Sequence, residues 1–93
     1  MTNKNINGEI NKSFSATGVS DTGYTSKGKV LILNGSGTFS INAEVSKDGG
    51  ATWHVIKTFT ASTVENFDWS GKDSIIRFNL TAADTFPVTV DFE

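Results

Sequence analysis

One histidine, one arginine, one tyrosine and ten side-chain carboxylates set the limits of any chemistry available to these 93 residues. A Ser–His–Asp relay would have to use His54, which an alternating pattern places on the solvent side of a strand directly after Trp53, so it reads as a surface histidine. With that single histidine and no cysteine, a zinc site lacks ligands and no thiolate nucleophile exists. The close carboxylate pairs are Glu65 with Asp68 and Asp91 with Glu93. Neither pair has a spacing that only acid–base catalysis explains, and the second alternates outward on the last strand, where charge guards a sheet edge. Asp21, Asp48, Asp73 and Asp84 fall in turns, where Asp is favoured for its hydrogen bonds to backbone, and their spacing is not that of a calcium loop. Gly35-Ser36-Gly37 and Gly49-Gly50 sit between strands rather than opening a helix, so neither cradles phosphate. The expectation is a chain with no catalytic residue, no metal and no cofactor.

The sharpest pattern is structural. Ser46-Lys47-Asp48-Gly49-Gly50-Ala51-Thr52-Trp53 satisfies Ser-x-Asp-x-Gly-x-Thr-Trp, the Asp box. An Asp side chain accepts hydrogen bonds from its own turn, glycine supplies positive φ, and the Trp brings a large apolar surface. Ser46, Asp48, Gly49, Gly50, Thr52 and Trp53 are therefore expected to clamp a hairpin, with Trp53 anchoring its return strand. A fully buried ring there would be worth about 3–5 kcal/mol. The box recurs in sialidases, but those hold substrate with three arginines and act through a tyrosine, and this chain has only Arg77 and Tyr24. A propeller also needs at least four four-stranded blades. Sialidase activity is excluded on those counts.

Along the chain the signal is of period two throughout. Phe39, Ile41, Ala43 and Val45 alternate with polar residues, as do Phe86, Val88, Val90 and Phe92, with Pro87 at a strand start or edge. Residues 52–60 place Trp53, Val55, Lys57 and Phe59 on the inward side, which requires Lys57 to reach the rim, and leave His54, Ile56 and Thr58 outward. Residues 64–69 offer Phe67 and Trp69, and residues 74–81 offer Ile76, Phe78 and Leu80 inward against Ile75, Arg77 and Asn79. Val30-Leu31-Ile32-Leu33 is apolar on both faces and reads as a central strand, while residues 9–16 supply Ile10 and Phe14. Residues 18–28 read as a long loop, 34–37 as a tight turn and 70–73 as a hairpin turn, with at most one helical turn at 81–84. These elements predict an all-β fold, an antiparallel β-sandwich of about seven strands, immunoglobulin-like or jelly-roll, spanning 9–93 behind a polar arm at 1–8.

The formal net charge of −2 and scattered basic residues give no footprint for nucleic acid, and no apolar stretch is long enough for a membrane span or signal core, so cytoplasmic synthesis is expected. A domain this small without disulfide or metal gains stability from association.

Taken together, Gly35-Ser36-Gly37-Thr38-Phe39-Ser40-Ile41, the clamp Ser46–Trp53, Phe59-Thr60-Ala61 and Ile75-Ile76-Arg77-Phe78-Asn79-Leu80-Thr81 resemble small virion proteins of tailed bacteriophages. The resemblance covers residues 28–93, with the clamp as its one sharp motif. It implies a non-enzymatic structural protein of the virion, made in the host cytoplasm: a capsid decoration or other head-associated protein whose partners are the major capsid protein, other virion proteins or further copies of itself. Ile56 and Ile75 are then candidate assembly contacts, as apolar residues on outward faces. The alternative is a carbohydrate- or receptor-binding β-sandwich module of a fibre or appendage, with Trp69 and Tyr24 as the stacking residues.

Overall fold

A computed structural model describes residues 9–23, 29–34, 37–66 and 74–92, and among them the chain forms strands and no helix. The strands are β1 (Ile10–Phe14), β2 (Gly18–Val19), β3 (Lys29–Asn34), β4 (Phe39–Ser46), β5 (His54–Phe59), β6 (Thr63–Asn66), β7 (Ile75–Ala83) and β8 (Val88–Phe92). All pairings are antiparallel and they are nested: β4 pairs β5, β3 pairs β6, β2 pairs β7 and β1 pairs β8. Alternate pairs go to alternate layers, so β8 also joins β3 and β7 also joins β4. The result is two four-stranded sheets of order β1-β8-β3-β6 and β2-β7-β4-β5, packed face to face.

Period two explains the core. Ile10 and Phe14, Val30 and Ile32, and Val88, Val90 and Phe92 project from one sheet; Phe39, Ile41, Ala43, Phe59, Ile76, Phe78 and Leu80 project from the other. Phe78 and Phe92 meet across the interlayer space with ring centroids 5.7 Å apart, tilted by 59°, in the range favoured for aromatic pairs.

Several expectations are corrected. β2 lies in the stretch expected to be loop, and Gly23 adds a further bridge to Ile76; a two-residue strand is too short to show a period. The chain at 81–83 is the end of β7 rather than a helical turn. A one-residue bulge at Thr81, unpaired between Leu80 and Ala82, carries the strand on so that Ala83 packs against the core. β8 is interior, flanked by β1 and β3, so Asp91 guards no edge. Phe86, expected inward, precedes β8 and is exposed, while Pro87 falls at the strand start as expected. β3 is an inner strand, but its second apolar face is only partly covered, with Leu31 half-buried and Leu33 exposed. β3 and β4 lie in different sheets, as do β6 and β7. The arm at 1–8, Tyr24, Phe67, Trp69, the turn at 70–73 and Glu93 lie outside the described residues.

Candidate functional site

The candidate site is the Asp-box turn and the outer sheet face beneath it. Ser46 ends β4 with its side chain fully buried, and its hydroxyl organises the turn. Its Oγ donates to Asp48 Oδ1 at 2.7 Å and accepts from the backbone N–H of Gly50 at 2.9 Å and of Asp48 at 3.3 Å. Asp48 Oδ1 also accepts from the Thr52 backbone N–H at 2.9 Å. Gly49 and Gly50 have φ of 75° and 101°, which residues with a Cβ rarely adopt. The Ser46 hydroxyl, then the Thr52 donors, favour the charged carboxylate and hold the Asp48 pKa down at about 2. Ser46, Asp48, Gly49, Gly50 and Thr52 thus form one local structure.

Trp53 departs from expectation. Phe59 pairs Ile41 and Lys57 pairs Ala43, but Val55 pairs Glu44, which leaves Ile56 as an extra residue in β5. That bulge reverses the phase of the strand toward its start, so Val55, and Trp53 two residues earlier, face away from the core. The Trp53 ring is half-buried and lies over the Arg77 guanidinium, its centroid 4.1 Å from Cζ. Lys57 is exposed at the rim with its Nζ 5.5 Å from the Phe59 ring centroid, while Ile56 is exposed at the bulge and Ile75 is half-buried opposite Ser46.

Beneath Trp53 the sheet carries a polar array. Arg77 Nε donates to Glu44 Oε1 at 2.8 Å, and Asn79 Nδ2 donates to Glu44 Oε2 at 3.0 Å. Next to this, Thr58 Oγ1 donates to Asn42 Oδ1 at 2.8 Å. Glu44 is only 5% exposed, and each of its oxygens accepts from an ordered donor. Glu44, Asn42 and Asn79 were missed by composition alone. A usable signal existed: an acid on the polar face of one alternating strand, and an Arg and an Asn two residues apart on the polar face of another.

Both carboxylates of the arrangement are held by donors. Among the described residues no group of three metal-binding side chains converges, and His54 is exposed on the edge strand β5. A pocket of about 280 Å³ is lined, among the described residues, by the consecutive residues 57–63. No helix among the described residues is long and apolar enough to cross a membrane. Comparison of the chain with protein-family models, with curated proteins and with solved structures returns no match.

Proposed function

We propose that this chain is a non-enzymatic structural protein of a tailed-phage virion, a capsid decoration or other head-associated protein that docks non-covalently on the particle surface. The observation that carries the reading is the single Asp-box hairpin, set in the residue series that resembles phage virion proteins and built here as a rigid turn at the β4–β5 end of a two-sheet sandwich. The nested pairing β1·β8, β2·β7, β3·β6 and β4·β5, with alternate pairs in alternate sheets, is the wrapping of one long antiparallel ribbon. We read it as an eight-stranded jelly roll, an architecture used by viral capsid proteins and by lectins. Fold alone does not assign the role. A structural role is also supported by the two best-held acids, Glu44 and Asp48, accepting hydrogen bonds instead of facing a cleft. Localising the chain in purified particles by electron microscopy, and adding the purified protein to particles that lack it, tests the proposal. Occupancy at a repeating lattice position is expected, and absence from particles overturns it.

One observation favours the second reading, a glycan- or receptor-binding module. Trp53 is not withdrawn into the core but sits half-exposed over Arg77, on the sheet face that also carries the paired Asn42 and Asn79, the kinds of group that hold a sugar. Glycan-array binding abolished by Trp53→Ala would favour it. The expected stacking residues Trp69 and Tyr24 lie outside the described residues.

A further inference from the structure

Arg77 is held on two sides and open on a third. Trp53 covers one face of the guanidinium and Glu44 accepts the Nε–H hydrogen bond, so the plane and its rotation are fixed before any partner arrives. The four N–H donors of its two terminal amino groups have no acceptor among the described residues. The side chain is only 23% exposed. Donors in that state are partly stripped of water without a protein partner in return, so an acceptor gains more there than at a freely solvated arginine. Their forked geometry matches a carboxylate, which can take two parallel hydrogen bonds.

The surroundings extend the surface. Val55 faces outward opposite Glu44 and is 55% exposed, and Val19 on β2 faces outward opposite Asn79. An aromatic and an arginine at the centre with apolar residues to either side is the composition of a protein-binding hot spot. Glu44 already balances the charge of Arg77, so the site offers geometry and ordered donors, with little net field.

We propose that the outer face of the β2-β7-β4-β5 sheet docks a protein segment through one of its carboxylate side chains, taken end-on by Arg77 beneath Trp53. The source of that segment, a virion protein, rests on the reading above; the site itself rests on the geometry of Arg77.

The test is a titration of the isotope-labelled full chain, followed by NMR at the Arg77 Nε–H and the Trp53 indole N–H, with a hexaglutamate peptide, a hexaglutamine peptide and inorganic phosphate. Saturable shifts at both groups with hexaglutamate, and not with the other two probes, are expected. R77K keeps the charge but loses the fork and is expected to weaken binding by about fivefold or more. E44Q keeps an acceptor for Nε while removing the competing charge, and is expected to tighten binding about two- to fivefold. Equal response to hexaglutamine, phosphate binding as tight as the peptide, shifts centred on the lysines, or unchanged affinity in R77K overturns the proposal. Should R77K fail to fold, E44Q decides alone, and unaltered affinity in that variant sinks the idea. Peptide binding with this pattern in a protein absent from particles would reject the virion role and keep the site; particle binding unaffected by E44Q and R77K would do the reverse.

Discussion

The Trp53 ring rests on the Arg77 guanidinium, 4.1 Å from centroid to Cζ, and so fastens the Asp-box turn to the outer face of β7. Its contribution is that of a half-exposed cation–π contact plus partial burial, smaller than that of a core aromatic. Trp53→Ala should therefore destabilise the fold by about 1–2 kcal/mol, short of the 3–5 kcal/mol of a fully buried ring. Urea melts will show this, and a loss of core-like size would contradict the outward placement.

Acid should loosen the turn before it reaches the core. The folded Asp48 carboxyl titrates at about 2 against an ordinary value of 3.8, so the fold favours the charged form. Its stabilisation is complete above the ordinary value, and is lost as pH falls from about 3.8 to about 2. Urea midpoints followed from pH 5 to pH 2 should decline less steeply in Asp48→Ala than in the parent. Parallel curves would remove Asp48 from the account of acid sensitivity.

Ser46→Ala should cost more than its size suggests. The hydroxyl is fully buried and makes three hydrogen bonds, and its loss leaves the Gly50 and Asp48 N–H groups without that acceptor. A destabilisation of about 1–3 kcal/mol is expected from the unmet donors. Retained stability in thermal melts would show that water replaces the hydroxyl without loss.

Glycine is required more strictly at 37 than at 49. Gly37 has φ of 82°, and a Cβ there would lie 3.1 Å from Asp84 Cβ and from Thr85 Oγ1, where Asp84 Oδ2 also accepts from Thr38 Oγ1 at 2.7 Å. Gly49 has φ of 75° with open space around it. Gly49→Ala should show only the backbone penalty of about 1–2 kcal/mol, and Gly37→Ala should lower the melting temperature further. The opposite ranking would count against the packing at residues 84 and 85.

How far the sequence could be read follows the range of the forces involved. Alternation is local, so Phe39, Ile41, Ala43, Ile76, Phe78, Leu80, Val88, Val90 and Phe92 were legible as core, and they are buried. The Asp-box turn was legible because its hydrogen bonds connect residues at most four apart. Trp53 and Val55 were misplaced because one inserted residue, Ile56, inverts the phase, and nothing in the residue types at 54–57 announces a bulge. β2 has too few residues for a pattern, and the interior position of β8 depends on partners at the far end of the chain. The Arg77–Glu44–Asn79 array escaped for the same reason, since it joins side chains 33 and 35 positions apart.

The nested pairing also orders the events of folding. Val45 and His54 are close neighbours in sequence, whereas Ile10 and Phe92 pair across almost the whole described chain. Loop-closure entropy therefore favours β4 and β5 meeting first, with each outer pair closing a loop already shortened by the inner one. The Asp box, fixed by contacts within its own few residues, is then the seed from which the ribbon zips. Substitutions at Ser46 or Asp48 should chiefly slow refolding in stopped-flow experiments, and substitutions at Ile10 should chiefly speed unfolding.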